Sequence, residues 1–175
     1  YKVIAVPHAE GDDVIAVLSK NIQEKSIIIS SDKDFTQLQK FKHIKQYSPI
    51  QKKMLSASDP YKYLQEHIIR GDKGDGVPNI LSDDDCMVQG VRQKPITQKK
   101  LAVWMEQTDM ANGLSVKWKR NQQLIDFDYI PAEISTGIMD SYSKKKDEQK
   151  QGQLLNYFIV NRLKYLMENI EDFIR

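Results

Sequence analysis

Five carboxylates follow two short apolar runs: Glu10, Asp12 and Asp13 come after YKVIAV, and Asp32 and Asp34 come after SIIIS. A further acidic pair, Asp72 and Asp75, lies in IRGDKGDGVPN. Charges of one sign packed this closely repel one another unless a cation is shared, and hard divalent ions such as Mg2+ take oxygen ligands. Acids at a helix start also complement its dipole, at about 0.3–1 kcal/mol each. That accounts for one or two of them, not five. No lysine or arginine falls between Glu10 and Asp13, and only Lys33 separates Asp32 from Asp34. The pattern predicts a divalent-metal site acting on phosphates. Two Mg2+ ions about 4 Å apart can activate a water, hold a scissile phosphate and stabilise the leaving oxygen, so phosphodiester hydrolysis suits such a site. Because Mg2+ keeps several of its waters, some of the acids are expected to act through water.

The elements that must position these acids are legible in outline. YKVIAV and SIIIS are short and β-branched, the pattern of strands buried on both faces of a parallel sheet. Between them AEGDDVIAVLSKNIQEK reads as a helix with Val14, Val17 and Leu18 on its inner stripe. In such a βαβ unit both strands end on one edge, and ligands bind outside their carboxyl ends. Val6 and Ser30 mark those ends, so Glu10, Asp12 and Asp13 should face Asp32 and Asp34. Glu10 and Asp13, three apart, share a helix face, while Asp12 points elsewhere and could serve a second ion. Residues 34–40 read as a short helix, and HIKQYS as a third strand with Ile44 and Tyr47 inward. The stretch from Pro49 to Lys53 then leads away from the sheet.

From Asp59 onwards strand signals fade. Asp59 and Pro60 supply an N-cap and a first-turn proline for YKYLQEHIIR, which stops at Gly71. Further helices are expected over residues 97–107, 114–123, 131–142 and 153–170. The fold class is therefore α/β, with residues 1–58 as the later part of an α/β core and residues 59–175 as a helical domain. The biased segment 143–153, SKKKDEQKQGQ, reads as a solvated linker. In the terminal stretch Leu155, Ile159, Leu163, Leu166, Ile170 and Phe173 recur every three or four residues, a stripe expected to be buried within its own domain.

Gly71, Asp72, Gly74, Asp75, Gly76 and Pro78 leave no room for a helix. Glycines here let backbone amides and carbonyls approach a ligand, yet no Lys-Ser or Lys-Thr follows to make a nucleotide P-loop. Arg70 and Lys73 flank the loop, and Lys94, Lys99, Lys100, Lys117, Lys119 and Arg120 could track a phosphate backbone or simply solubilise the surface. Trp104, Trp118 and Tyr129 read as core residues, and His8, His43 and His67 show no metal-ligand spacing.

The chain has 175 residues, 26 lysines and arginines against 24 acids, and 40% hydrophobic content. That is ample for a core, and with a net charge of +2 any nucleic-acid affinity must come from segregating the bases away from the acids. No apolar stretch approaches the roughly 18 residues of a membrane span. Cys86 is the single cysteine, so no internal disulfide forms. Tyr1 falls directly inside an apolar run, which is the pattern expected of the later part of a larger protein.

Two family resemblances compete. DKDFT at 32–36 matches the DxDxT of haloacid-dehalogenase-type phosphatases, in which the first Asp is the nucleophile. In that family the distal acidic motif follows a strand, whereas GDKGD follows a helix and its acids are one residue too close. The order EGDD, then SSDKDF after a strand, then GDKGDGVPN after a helix, resembles the 5′-nuclease superfamily that includes flap endonucleases and the 5′-nuclease domains of DNA polymerases. The likeness is strongest to the ribonuclease H branch of tailed phages, and SSDKDFTQL, QYSPIQKK and LIDFDYIP extend it along the chain.

The resemblance implies a parallel-sheet, PIN-like core, incomplete at its N-terminus, and a helical domain with a helix-three-turn-helix element. Glu10, Asp12, Asp32 and Asp34 match the acids that hold two Mg2+ ions, for which Mn2+ substitutes, with Asp13 beside them. Asp75 matches the acid that reaches the second ion through water. Loop 71–80, with Arg70, Gly71, Asp72, Lys73, Gly74, Gly76, Val77 and Asn79, matches the element that grips duplex and in several members binds K+. Gly76 stands where asparagine is usual and Asn79 where glycine is usual, which weighs against K+. The implied partners are duplex or flapped DNA and RNA–DNA hybrid. A single-stranded-DNA-binding protein, a clamp, or a chain supplying the missing segment are the implied protein partners. The implied location is the cytoplasm of an infected bacterial cell, and the implied work is removal of RNA primers and 5′ flaps during replication. The family's earlier strands, with two further aspartates, and its basic arch have no counterpart after Tyr1. Weak or absent activity of this polypeptide alone is therefore expected, and a non-catalytic duplex-binding module is the alternative.

Overall fold

Four residues of the SIIIS run, Ser26–Ile29, form strand β1, and Ile44–Ser48 form β2 in parallel beside it, with Ser26 opposite Ile44 and Ile29 opposite Tyr47. This is a computed structural model, and it describes residues 2–106, 114–144 and 151–173. The chain does not leave the sheet after Pro49 as expected. Lys52 takes a left-handed φ of 52°, which lets the backbone reverse, and β3 (Lys53–Leu55) pairs antiparallel with β2. The sheet order is β1-β2-β3.

The expected strand YKVIAV does not form: residues 2–6 pair with no strand, and Val3 is exposed. Propensity makes such a run eligible for a sheet, but a strand exists only where a neighbour takes its hydrogen bonds. The side chain of Val6 instead lies against helix α5 (Ala132–Ser143), where a Cβ placed on Gly137 would stand 3.1 Å from Val6 Cγ1. Nor is β1 buried on both faces. Ile28 is buried, but Ile27 is 58% and Ile29 73% exposed, because only one face has a packed layer. The architecture among the described residues is thus mixed α/β, a three-stranded sheet with many helices, rather than a full parallel core.

Helix α1 (Gly11–Asn21) covers the buried face. Its inward residues are Ala16, Val17 and Ser19, with Val14 and Leu18 only half-buried. Ala16, Ile28, Phe35, Leu38 and Ile44 make the sheet-side core. Residues Asp34–Lys40 form a 3-10 helix that contributes Phe35 and Leu38. In β2 the inward positions are Ile44, Gln46 and Ser48, two apart as a strand requires, so Tyr47 points to the other face.

Helix α2 (Pro60–Arg70) begins as expected, with Asp59 Oδ1 accepting the Lys62 N–H at 2.9 Å. Its Leu64 and Ile68 pack with Val77 and Ile125, and its Ile69 with Ile80 and Leu101. Helices α3 (Gln98–Met105) and α4 (Leu114–Ile125) bring Trp104 and Trp118 against these clusters as core residues. Gln107, the expected end of α3, lies outside the described residues. Val3–Tyr142 form one unit and Ser143–Arg175, with the first two residues, another.

In the second unit the expected single helix is broken. α6 (Gln151–Val160) and α7 (Lys164–Glu168) are separated by a turn in which Arg162 has φ 55°, and Leu163 N–H returns to Phe158 O. A short 3-10 segment, Ile170–Phe173, follows. The break dissolves the expected buried stripe: Leu155, Ile159, Leu166 and Phe173 are exposed, and Phe158 is the buried residue, edge-on to the Phe173 ring. Most of the expected linker, residues 145–150, lies outside the described residues.

Candidate metal centre

Three chain segments meet at one cavity of about 150 Å3, whose walls include Glu10, Asp12, Asp13, Asp34, Asp72 and Asp75. The opposite wall is residues 123–131, which cross from the end of α4 through a 3-10 turn. Each acid is delivered by a local device. Glu10 is the N-cap of α1 and forms a reciprocal capping box with Asp13, whose Oδ2 accepts the Glu10 N–H at 2.9 Å. Asp13 is therefore occupied with the helix start, and Asp12 is left to face the other acids.

The Asp32 loop is held from below. Gln46, fully buried in β2, donates its amide to the carbonyls of both Ser30 and Asp32. Its own carbonyl accepts from Gln39, whose carbonyl in turn accepts the Ala57 N–H at 2.8 Å. Asp32 Oδ1 accepts the Asp34 N–H at 2.9 Å, which opens the 3-10 helix and fixes the spacing of the two acids. Every member of this chain is satisfied, so the network orders the loop rather than straining it.

Asp72 anchors the glycine loop. Its Oδ1 accepts the N–H groups of Gly74 (2.6 Å) and Asp75 (3.2 Å), and its Oδ2 lies 2.9 Å from His67 Nε2. Gly71 has φ 69°, and a Cβ there would fall 2.3 Å from Val77 O, so only glycine allows this close return of the chain. Below the loop Asn121, fully buried, donates to Ile68 O (2.8 Å) and Pro78 O (2.9 Å). Buried Gln37 similarly ties Ile125 O and the Phe127 N–H, which steadies the opposite wall.

The electrostatics are those of crowded anions. Burial first, then the charges of Asp32, Glu10, Asp13 and Asp75, push the Asp12 carboxyl above its ordinary range. Burial likewise raises Asp34 to about 6; His67 opposes that rise, and Asp32, Asp72 and Asp75 add to it. For Asp72 burial also acts upward, but the Asp75 N–H, His67 and the Gly74 N–H outweigh it and the carboxyl is lowered. Tyr63, buried beside Asp34, Asp32 and Asp72, is pushed up to about 12 and stays a neutral hydroxyl. No lysine or arginine of the described residues pairs with Glu10, Asp12, Asp13, Asp32, Asp34, Asp72 or Asp75. A carboxylate set in which Asp12 and Asp34 resist ionisation, and in which no lysine or arginine of the described residues takes part, fits a divalent cation.

His67 is the residue that sequence spacing missed. Its Nδ1 lies 3.5 Å from Asp34 Oδ1 and its Nε2 meets Asp72, so donor atoms of Asp34, His67 and Asp72 all fall within 4.8 Å of one another. The available signal was its place four residues before Gly71, on the helix turn that feeds the loop. Tyr129, expected in the core, is 46% exposed and lines the cavity instead.

The expected duplex-binding residues separate into two kinds. Lys73, Gly74 and Gly76 are exposed on a cleft of about 570 Å3 that also holds Arg92, a cation the sequence reading did not single out. Val77 and Asn79 are buried. Val77 packs with Leu64, Ile68 and Ile125, and Asn79 Oδ1 accepts from Leu81, Ser82 N–H and Ser82 Oγ, so both support the loop from within. Arg70 pairs with Glu66 at 2.7 Å. Lys117 and Arg120 are likewise engaged internally, Lys117 with Ser82 O and Arg120 with Asp84 and Pro78 O.

Comparison with known proteins now bears on this geometry. The family model described as T4 RNase H, C terminal, matches residues 59–173, the glycine loop and the helices around it. Ribonuclease H of Enterobacteria phage T4 is 33% identical over 186 aligned positions, covering 99% of this chain. The chain belongs to this family of 5′-nucleases. It spans 61% of the length of the phage T4 relative. The resemblance read from EGDD, SSDKDF and GDKGDGVPN is thereby shown, and those three motifs are the segments that converge on the cavity.

Proposed function

We propose that the protein is a Mg2+-dependent 5′ to 3′ nuclease of the ribonuclease H and flap-endonuclease type, which removes RNA primers and 5′ flaps during DNA replication. The observation that carries this reading is the convergence of three acidic segments at one cavity beside a glycine loop, their carboxylates paired with no lysine or arginine of the described residues. In the proposal Glu10, Asp12, Asp32, Asp34 and Asp75 hold two Mg2+ ions, for which Mn2+ substitutes. A bound ion would supply Lewis acidity toward the scissile phosphate and lower the cost of deprotonating the attacking water. Asp13 and Glu10 set the start of α1, and Gln46 holds the Asp32 backbone in register. Residues 1–58 act as the later part of the catalytic core and residues 59–175 as the helical duplex-binding part.

Lys73, Arg92 and the backbone amides of Lys73 and Gly76 meet the phosphates of duplex DNA, flapped DNA or RNA–DNA hybrid. Single-stranded-DNA-binding protein, a clamp, or a chain that completes the core are the protein partners of the proposal, in the cytoplasm of an infected bacterium. No helix of the described residues is long and apolar enough to cross a membrane. K+ at the loop is left out of the proposal, because Pro78 O already accepts from Arg120 and Asn121, and Asp72 O from Val77 N–H.

The test is cleavage of a 5′-labelled flapped duplex and an RNA–DNA hybrid in Mg2+ and in EDTA. Metal-dependent release of 5′ products that Asp34→Asn abolishes supports the proposal. Duplex binding with no metal-dependent cleavage, even when the upstream segment that completes the core is supplied, supports the non-catalytic module instead.

A further inference from the structure

One imidazole touches both the strand-loop acids and the glycine-loop acids. His67 Nδ1 is 3.5 Å from Asp34 Oδ1, has no hydrogen bond, and is shielded from solvent, while Nε2 is 2.9 Å from Asp72 Oδ2. The other oxygen of Asp72 takes the N–H groups of Gly74 and Asp75. A continuous path of close contacts therefore runs from Asp34 through His67 and Asp72 to the backbone of Asp75. The ring is confined at its side as well, edge-on to Tyr63 with centroids 5.8 Å apart.

We infer that His67 is a positioning residue that couples ion binding at the carboxylate cavity to the grip of loop 71–76 on duplex. The inference rests on the nuclease reading above. An ion at the cavity draws on the Asp34 carboxylate, one of whose oxygens faces Nδ1, and so alters what that edge of the ring meets. The opposite edge holds Asp72, and Asp72 takes the Gly74 and Asp75 N–H groups in the turn that presents Lys73 and the exposed backbone of Gly74 and Gly76. The Asp72–Val77 bridge, with Val77 N–H to Asp72 O at 2.6 Å, closes that turn into one unit. A shift of the ring is thus delivered to the loop backbone that carries Lys73 and Gly76 rather than absorbed by a loose side chain. By linkage, duplex held on the loop must tighten ion binding by the same factor as the ion tightens duplex.

Two substitutions divide the ring's contacts. His67→Gln carries an amide nitrogen close to the place of Nε2 and can keep Asp72, whereas His67→Asn carries it close to Nδ1 and keeps Asp34. Duplex affinity is measured by fluorescence anisotropy at one fixed pH, in EDTA and in saturating Ca2+, which occupies oxygen sites without turnover. The parent protein is expected to bind duplex about 5- to 150-fold more tightly with Ca2+, the usual span of such coupling. In both variants that factor falls to less than about twofold. A melting temperature retained in H67Q shows that the fold survives loss of the ring, so that the lost factor reports the coupling. A parent-like factor in both variants, or no Ca2+ effect in a parent that binds both partners, overturns the inference and leaves the nuclease reading standing. A parent that binds no divalent ion overturns both.

Discussion

With Asp34 as a proposed ligand, ion binding should depend on pH in a range where an ordinary aspartate would give no dependence. Its carboxyl titrates at about 6 rather than 3.8, because burial and the neighbouring acids outweigh His67. A metal needs the carboxylate form, so below about 6 a proton competes with the ion, and each further pH unit weakens binding about tenfold from this group alone. Between pH 7 and pH 5 the Mn2+ affinity should fall by about tenfold, and more steeply as Asp12, also raised, joins in. For the ion-free protein the sign is opposite to that of a salt-bridged acid. The folded chain keeps the Asp34 proton to higher pH than the unfolded chain does, so this contribution favours the fold below the unfolded value. It is lost as pH rises from about 4 through 6. Calorimetric titration with Mn2+ at pH 7, 6 and 5 measures the effect, and thermal melts without metal check the sign. An affinity that is flat from pH 7 to 5 would refute the reasoning, since no carboxyl with a raised value would then be giving up a proton to the ion.

Gly71→Ala should lower stability by more than about 2 kcal/mol, because the new Cβ meets Val77 O at 2.3 Å at a left-handed φ. Gly76→Ala, with φ 74° but open space around it, should cost about 1 kcal/mol; denaturant melts of the pair separate steric clash from backbone strain. Asn121→Ala leaves the carbonyls of Ile68 and Pro78 short of a donor and should cost about 1–3 kcal/mol, with weaker duplex binding measured in the same protein. Gln46→Leu removes the donor to the Ser30 and Asp32 carbonyls, and metal affinity should fall about 10- to 100-fold, as for other residues that orient metal ligands.

What the sequence made legible was local and chemical. Acids three apart at a helix start, and two apart after a strand at the same sheet edge, are brought together by local geometry, so the crowding of EGDD against SSDKD was legible before any fold was known. The cap at Asp59 with Pro60, and the stop at Gly71, are equally local and set α2 where expected. What was not legible depended on partners. YKVIAV has the composition of a strand, yet residues 2–6 pair with none, and Ile27 and Ile29 lack a layer above them. The return at Lys52 into β3 and the break at Arg162 need left-handed backbone at residues that do not advertise it.

His67 gave no ligand spacing because its two partners come from different segments, Asp34 from a strand loop and Asp72 from the turn after its own helix. Gln37, Gln46 and Asn121 look like surface amides in a sequence. Each is buried because its amide donates to backbone carbonyls where two segments cross. Tyr129 was read as core from its apolar neighbours, but the 3-10 turn at Phe127–Tyr129 buries the sheet-side contact through Phe127 and leaves Tyr129 on the cavity wall.

The central claim is that these carboxylates coexist by sharing divalent ions. Anomalous diffraction from crystals of the protein soaked in Mn2+ tests it most directly. Peaks are expected in the cavity within about 2.0–2.6 Å of carboxylate oxygens drawn from Glu10, Asp12, Asp32 and Asp34, with Asp75 reached directly or through water. A cavity without anomalous signal at saturating Mn2+, its acids turned to solvent or paired with lysines, would contradict it.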